Sequence, residues 1–192
     1  MRRIIVTAIL ATLATSAASQ AQQAAPPVAK PAPLPPLPNP PGDIPDNQAL
    51  VDYRSPIGFA IKTPEGWARR ERPDGVTFAD KYGAVAVAVT TAPVAPTVAS
   101  ATGTEAAALE ALPVAVVVAK VAPATLPGGA AVVIGYASNS EPNAVTGKAI
   151  RLENERYLFW RAGRLATVTL SAPFGADNVD QWQLIAGSFR WN

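Results

Sequence analysis

Residues 58–67 read GFAIKTPEGW, and this stretch decides how the fold is interpreted. Together with Ile57, its residues Phe59 and Ile61 recur at every second position, as expected for one face of a β-strand. The segment 64–66 then supplies proline and glycine for a turn, and Trp67 follows as an aromatic that can fold back onto the same face. The stretch predicts a strand that enters a hairpin near the beginning of a folded domain.

Upstream of this strand, residues 22–49 are dense in proline and hold half of the chain's 20 prolines. Each proline fixes φ and removes a backbone donor, so the segment favours extended polyproline II. We expect a disordered, stiff stalk that separates the domain from the membrane or wall. Residues 33–36 (PLPP) also fit a PxxP ligand, which is the alternative use of this stretch.

The N-terminus has the pattern of a secretory signal. Met1-Arg2-Arg3 is a positive start, residues 4–14 are apolar, and Ser19-Gln20-Ala21 fits a cleavage site, with Ser16-Ala17-Ala18 as the alternative. We predict a signal peptide at 1–21, a proline-rich linker at 22–49 and one domain at 50–192. The protein is therefore expected in the periplasm, on the cell surface or in the medium, with membrane contact only if the signal stays uncleaved.

Downstream, short apolar runs predict further strands. Val76 and Phe78 alternate, and residues 84–89 read AVAVAV, with valines on one side and alanines on the other. Since neither side is polar, this strand is expected inside a sheet that is covered on both faces. Two more strands are predicted at 114–121 and 130–138, on either side of a turn at Pro127-Gly128-Gly129.

Two helices and one hairpin complete the prediction. Thr102 and Glu105 form a capping-box pattern that opens a helix ending before Pro113. Residues 149–160 and 165–171 form a hairpin around Arg161-Ala162-Gly163-Arg164. A terminal helix is capped by Asp177, carries Asp180 in its first turn and presents one apolar side to the sheet, made of Val179, Trp182, Ile185, Ala186 and Phe189.

The order of these elements, with GFAIKTPEGW at the start and a helix followed by SFRW at residues 188–191, resembles the PsbP/Mog1-like superfamily over roughly residues 50–191. The resemblance implies an α+β fold in which an antiparallel sheet is sandwiched between helices (α/β/α). It also implies a binding or assembly module rather than an enzyme. The stalk followed by GF and GW is similar as well to mycobacterial fibronectin-attachment proteins, although their long proline-rich tail is missing.

The composition excludes many kinds of active site. The chain has no cysteine and no histidine, which removes cysteine nucleophiles, histidine-based triads and the usual zinc sites. Ser171 and Ser188 lie outside the known nucleophile motifs. The carboxylate pairs Asp177/Asp180 and Glu153/Glu155 are better explained by helix capping and by a strand face in water, and Asp43, Asp46 and Asp52 lack a calcium-loop spacing. We predict no catalytic residue, no cofactor and no metal.

The remaining candidates concern binding. The 16 Lys+Arg and 14 Asp+Glu give +2, and without Arg2 and Arg3 the counts become 14 and 14, so nucleic-acid binding is not expected. Two arginine clusters could meet an acidic partner, namely Arg69, Arg70 and Arg72 and, later, Arg156, Arg161 and Arg164. Six aromatic residues are assigned to the core rather than to a pocket: Trp67, Tyr157, Phe159, Trp160, Trp182 and Trp191.

These observations predict an exported, non-enzymatic binding or assembly module of the cell envelope. Its expected partner is an envelope protein or complex, at residues that the sequence does not identify. The alternatives are a carrier of a lipid or another apolar ligand and an adhesin-like surface protein.

Overall fold

The computed structural model describes residues 30–192; the predicted signal peptide at 1–21 and residues 22–29 lie outside this range. The strands are β1 (Leu50–Ser55), β2 (Phe59–Pro64), β3 (Ala68–Arg72), β4 (Gly75–Ala79), β5 (Ala84–Thr91), β6 (Val117–Leu126), β7 (Gly129–Asn139), β8 (Arg151–Arg161), β9 (Arg164–Pro173) and β10 (Arg190–Trp191). The helices are α1 (Val98–Ala101) and α2 (Ala107–Glu110), joined by a π-helical turn at Thr102–Ala106, and α3 (Val179–Gly187).

The strands form two antiparallel sheets, so the described chain is mostly β-structure. The small sheet has the order β1-β2-β10, and the large sheet has the order β3-β4-β5-β9-β8-β7-β6. The predicted hairpin at residues 149–171 is confirmed as β8 and β9, which pair up to Arg161 and Arg164. Its two turn residues, Ala162 and Gly163, have φ of 48° and 81°, as a tight two-residue turn between twisted strands requires.

The opening stretch folds differently from the prediction in one respect. Phe59 and Ile61 are buried in β2, as their alternation predicts, and Trp67 packs partly buried against the same core. However, β2 does not form a hairpin with the next strand, because β2 belongs to the small sheet and β3 to the large one. The hairpin partner of β2 is the preceding strand β1. The sequence does not predict this strand, because its apolar residues Leu50, Val51 and Tyr53 are interrupted by Asp52 and followed by Arg54 and Ser55.

The large sheet separates two hydrophobic cores. On its first face lie the small sheet and α3, with Phe59, Phe189 and Ile185 packed onto Phe159 and Val168. Phe159 and Phe189 stack with ring centres 4.5 Å apart, so that the end of α3 is fixed to the middle of the sheet. On its second face, the helical segment 98–110 packs over β6, β7 and β8 through Ala101, Ala106 and Leu109.

The predicted cover on both faces is therefore only partly present. The strand β5 does lie inside the sheet, between β4 and β9, and its side chains Val85 and Val87 are buried on the first face. Its alanines at 84, 86 and 88 point to the second face and stay half exposed, because the helical segment lies over the other side of that face. The first face, in turn, is covered by a small sheet as well as by a helix.

Both predicted helix starts need correction. The capping box is formed by Thr97 and Ser100, which exchange hydrogen bonds with each other's backbone, whereas Thr102 lies at the π-helical turn. At α3 the N-cap position is Asn178 rather than Asp177, and Asn178 makes no capping hydrogen bond with its side chain. Asp180 lies in the first turn as predicted, but Val179 is exposed and does not belong to the docking face.

Candidate functional site: a groove beneath the N-terminal strap

The proline-rich segment 30–49, called the strap below, lies against the domain instead of projecting from it as a stalk. One end is held by Asn139 at the end of β7. The Leu34 backbone N–H donates to Asn139 Oδ1 at 3.0 Å, and Asn139 Nδ2 donates to the Ala32 carbonyl at 2.9 Å. A proline-rich chain has few backbone donors left, so the remaining donors and carbonyls need partners from side chains. The predicted disordered stalk is corrected for this part of the chain.

The other end of the strap is held by Asn178 at the start of α3. Its Oδ1 accepts a hydrogen bond from the Ile44 N–H at 2.7 Å, and its Nδ2 donates to the Gly42 carbonyl at 3.0 Å. Ile44 is buried in the first core. Gly42 has a φ of +101°, and a Cβ there would lie 2.9 Å from the Cβ of Tyr82, so that only glycine fits this crossing without a shift.

Between the strap and the large sheet lies a groove of about 480 Å³, called the strap groove below. Its size falls within the range of sites that bind small ligands. The strap contributes Leu34 and Pro36 to one wall, and Phe174, just after β9, also lines the groove. The rest of the lining comes from β6, β7 and β8: Val117, Ala119, Lys120, Gly135, Tyr136, Ala137, Arg151, Glu153, Asn154 and Glu155.

The Glu155 carboxylate in this groove is already paired with other side chains of the domain. Lys120 Nζ lies 3.2 Å from Glu155 Oε1, and Tyr157 donates its hydroxyl hydrogen to Glu155 Oε2 at 2.6 Å. Burial raises the pKa of Tyr157 strongly, and its contact with the Glu155 carboxylate raises it further. The stem of Lys120 reaches this position across Gly135, where a Cβ would come within 3.1 Å of it.

A second polar group, Arg151 at the start of β8, has no such partner. The residue is only 5% exposed. Its Nη1 donates to the Ala115 carbonyl at 2.7 Å and to Asn139 Oδ1 at 3.1 Å, and both acceptors are neutral. Burial lowers the pKa of Arg151 from its ordinary value, although an arginine remains charged at neutral pH. Within residues 30–192 no carboxylate forms an ion pair with it.

The strap groove continues as a series of hollows along α3. A hollow of about 310 Å³ shares Lys120, Glu153 and Glu155 with the strap groove and reaches Val179. The next hollow, of about 690 Å³, lies between Leu126 of β6 and Leu184 of α3. Four exposed apolar side chains line this series: Val117, Phe174, Val179 and Leu184. A run of apolar side chains that stays in water on one surface is typical of a binding site.

The carboxylates named from the sequence are spread over the molecule. Glu153 and Glu155 share one face of β8 as predicted, but this face lines the strap groove and Glu155 is ion-paired. Asp177 does not cap α3. Its backbone N–H donates to Asp43 Oδ1 at 2.8 Å, and this hydrogen bond helps to hold the strap. Asp52 pairs with Arg190 at 3.4 Å. Among residues 30–192, no group of three or more acidic side chains has a geometry that could hold a metal ion.

The arginine clusters do not form continuous patches. Arg156 donates to Thr169 Oγ1 at 3.0 Å and lies over the Tyr136 ring on the second face of the large sheet. Arg164 instead lies over the Trp191 ring of the small sheet, with 4.8 Å to the ring centre. In β3, Arg69 is paired with Glu71 at 3.5 Å and Arg72 with Asp74 at 3.4 Å. Four of these six arginines therefore make separate contacts with the domain, namely Arg69, Arg72, Arg156 and Arg164.

The aromatic and hydroxyl residues have structural positions. All six aromatic residues assigned to the core lie in it or against it, with Tyr157, Phe159 and Trp182 buried. Ser188 Oγ accepts from the Lys62 N–H and donates to the Ile185 carbonyl, and Ser171 donates to Asn154. Within the part of the chain that the structure describes, no helix is both long and apolar enough to cross a bilayer.

Comparison with solved structures identifies the fold. The chain superposes on the cyanobacterial PsbP (CyanoP) of Synechocystis sp. PCC 6803 with a TM-score of 0.56 and 16% identity, over 79% of this chain and 98% of that one. No protein-family model matches the sequence, and no curated protein matches it either. The protein therefore has a PsbP-like fold, as the resemblance of its sequence predicts.

Two further structures superpose less well. One is a protein of Bacteroides thetaiotaomicron, with a TM-score of 0.47 and 11% identity over 73% of this chain and 48% of that one. The other is LpqN of Mycobacterium tuberculosis, described as involved in cell envelope biogenesis, with a TM-score of 0.46 and 16% identity over 75% of this chain and 90% of that one. The fold assignment rests on the cyanobacterial protein alone.

Proposed function

We propose that the protein is an exported, non-enzymatic binding module of the cell envelope, and that it receives its partner in the strap groove and the hollows along α3. The observation that carries this proposal is the alignment of Val117, Phe174, Val179 and Leu184 along one continuous depression. Apolar side chains in water at a concave surface gain free energy when a partner covers them. The N-terminal signal pattern supports a location outside the cytoplasm.

Binding rather than catalysis is supported by the roles of the reactive side chains. A nucleophile needs a neighbouring base, and a general acid or base must be able to contact a substrate bound in a cleft. Here the hydroxyls of Ser171 and Ser188 bond to the domain itself, and Glu155 is held by both Lys120 and Tyr157. Ser171, Ser188 and Glu155 are therefore held by structural contacts, which supports binding over catalysis.

A partner is expected to bind in the groove rather than to add a β-strand to an edge of the large sheet. Both edges of the large sheet carry features that oppose pairing with another chain. The β6 edge has an irregular register between Val118 and Lys120 and contains Pro123, and the β3 edge reads ARRER at residues 68–72. Prolines, bulges and charges on edge strands prevent backbone pairing. A partner is therefore expected to contact side chains in the groove.

Site-specific photo-crosslinking tests this function in cells that export the full chain. A photoreactive residue is placed at Val117, which is 48% exposed and lines the strap groove, and a matched control at Val145, which is 93% exposed in the β7–β8 loop. We expect one defined envelope product from position 117 and none from position 145. Equal products at both positions, or none together with hydrolysis of an ester, glycan or peptide panel by the purified protein, would contradict the proposal.

A carrier of an apolar small molecule is the second candidate. The volume of the strap groove and its apolar lining by Leu34, Val117 and Phe174 favour this function specifically. Native mass spectrometry of the exported protein tests it, because a carrier is expected to retain a ligand of constant mass. Repeated recovery of the bare protein would argue for a protein partner instead.

A further inference from the structure

Within residues 30–192, no carboxylate forms an ion pair with Arg151. Buried charges are normally paired, because removing an ion from water costs several kcal/mol unless an opposite charge compensates it. Among residues 30–192, the Arg151 guanidinium donates only to the Ala115 carbonyl and the Asn139 amide oxygen, and both hydrogen bonds use Nη1. An arginine has five N–H donors, so most of them remain for another acceptor. Since Arg151 lines the strap groove, that acceptor can come from a ligand in the groove.

The neighbouring carboxylates, Glu153 and Glu155, do not pair with the Arg151 guanidinium. Glu155 is occupied by Lys120 and by the Tyr157 hydroxyl. Glu153 follows Arg151 by two positions on the same face of β8, but it is exposed and forms no ion pair with Arg151 within residues 30–192. The rest of the lining is largely apolar, with Leu34 and Pro36 on the strap and Val117 on β6. The groove thus joins one buried cationic position to apolar walls.

We propose that the strap groove binds a single-chain amphiphile with an anionic head group, a carboxylate or a phosphate. The free donors of the Arg151 guanidinium bind the head group, a geometry in which arginine forms two parallel hydrogen bonds. The apolar walls from the strap and from β6 and β7 cover the chain. This inference rests on the proposed use of the groove and names the chemical class of its ligand.

The strap takes part in the same site through Asn139. Its Oδ1 accepts hydrogen bonds from both Arg151 and the Leu34 N–H. The residue that orients the guanidinium is therefore also the residue that holds the strap over the groove. Ligand binding at Arg151 is expected to protect the Leu34 amide from hydrogen exchange, because the closed strap covers the bound chain.

The test compares an acid with its neutral ester. The mature chain, residues 22–192, is titrated with dansylundecanoic acid and with its methyl ester near neutral pH, and binding is followed by dansyl fluorescence. We expect the acid to bind more tightly than the ester. Arg151→Gln should weaken the acid about ten-fold to a hundred-fold, the usual effect of losing a charge-assisted hydrogen bond, and should weaken the ester clearly less.

Two further variants guard against a folding defect in Arg151→Gln. Glu153→Gln keeps Arg151 and removes a nearby negative charge at an exposed position, so it should tighten binding of the acid and not of the ester. Arg151→Lys keeps the charge but loses the planar fork, so it should give an intermediate affinity. Circular dichroism of each variant checks that the fold is retained.

Four results would overturn the inference. Equal affinity for acid and ester in the unchanged protein would remove the role of the head group. No effect of Glu153→Gln together with no effect of Arg151→Gln would remove the role of Arg151. Competition by acetate or inorganic phosphate as strong as that by dodecanoate or dodecyl phosphate would leave an anion site without a chain. Failure of both probes to bind, while Val117 still crosslinks to an envelope protein, would reject the amphiphile and keep the proposed function.

Discussion

The two faces of the large sheet start from the same kind of sequence and end in different surroundings. In β5, the valines of the first face lie beneath the small sheet and α3, whereas the alanines of the second face stay half exposed. The helical segment 98–110 covers only the part of the second face formed by β6, β7 and β8. An apolar side chain is therefore not buried by its own character alone; another layer has to lie over it.

The open part of the second face is adapted to water by the strands beside β5. Ala86 lies between Thr77 and Thr169, and Ala88 has Thr167 as its neighbour on β9. Arg156 borders this area, since it donates to Thr169 while its guanidinium lies over the Tyr136 ring of β7. Small and hydroxyl-bearing side chains make this surface compatible with water, so that no second cover is needed there.

The largest effect is expected where the first face is closed. Phe189 is buried and stacks on Phe159, so Phe189→Ala should lower the free energy of unfolding by about 3–5 kcal/mol through lost contacts and a cavity. Urea unfolding followed by tryptophan fluorescence measures the change. Leu184→Ala in α3, the helix that Phe189 follows, is the control: its side chain is 57% exposed, so the change should cost less than about 1 kcal/mol. Similar losses in both variants would show that α3 is not the cover of this face.

The two sides of β5 can be compared directly with one residue type. Val87→Thr places a hydroxyl in the closed core and should lower the free energy of unfolding by about 1–3 kcal/mol, because the hydroxyl has no partner there. Ala86→Thr places the same group on the open face beside Thr77 and Thr169, where it should be nearly neutral. Thermal unfolding of the two variants decides. A cost at position 86 equal to that at position 87 would mean that the second face is covered after all.

The hydrogen bonds that attach the strap should contribute less to the free energy of unfolding than the core does. Their loss should be detectable as faster hydrogen exchange in the strap. Asn178→Ala removes the hydrogen bonds to Ile44 and Gly42 and is expected to lower the free energy of unfolding by about 1–2 kcal/mol. Hydrogen exchange at the Ile44 amide should speed up more than exchange in β8 and β9. Gln183→Ala, at an exposed position of the same helix, is the matched control. Unchanged protection of Ile44 would show that Asn178 does not hold the strap.

The smallest effect concerns alkaline pH, and it again distinguishes the faces. Burial raises the pKa of both Tyr157 on the first face and Tyr136 on the second. The Glu155 carboxylate raises the pKa of Tyr157 further, whereas Arg156 partly offsets the rise at Tyr136. A raised folded pKa means that the folded state keeps a proton that the unfolded state loses. The stabilisation is therefore complete below the ordinary tyrosine pKa of about 10 and is lost as the pH rises above it.

Tyr157→Phe should accordingly flatten the decline in unfolding free energy above about pH 10 more than Tyr136→Phe does. Both variants keep the ring, so packing is largely preserved. Urea unfolding across the alkaline range measures the slope for each. A steeper contribution from Tyr136 would indicate that Arg156 does not lie over that ring in solution.

Local chemistry explains which parts of the fold the sequence predicts. The hairpin of β8 and β9 is predicted because Ala162-Gly163 lies between two alternating strands and the turn needs only its own residues. The start of the first helix is mispredicted because Thr97/Ser100 and Thr102/Glu105 both offer capping groups, and the chain uses the earlier pair. The strand β1 is missed because half of its side chains, Asp52, Arg54 and Ser55, are polar and leave too short an apolar pattern.

The candidate site is less predictable than the fold. Its position depends on Asn139 and Asn178, two asparagines that are separated from their strap partners by more than 100 residues. A side-chain amide that binds a distant backbone leaves no periodic pattern in the sequence. Arg151 shares this problem, since its hydrogen bonds go to Ala115 and Asn139, which are distant from it in the chain. The sequence names Glu153 and Glu155, but only the folded chain shows that they line a groove.

The sequence by itself determines the strands with alternating apolar residues, the tight hairpin of β8 and β9, most of the apolar side of α3 and the absence of cysteine and histidine chemistry, because each depends on neighbouring residues or on composition alone. The tertiary structure decides which strands pair, which face of β5 is covered, and where the proline-rich segment lies. These features depend on contacts between residues far apart in the chain, and the free energy of such contacts is gained only when layers and straps meet in space. The groove and its buried arginine result from that meeting.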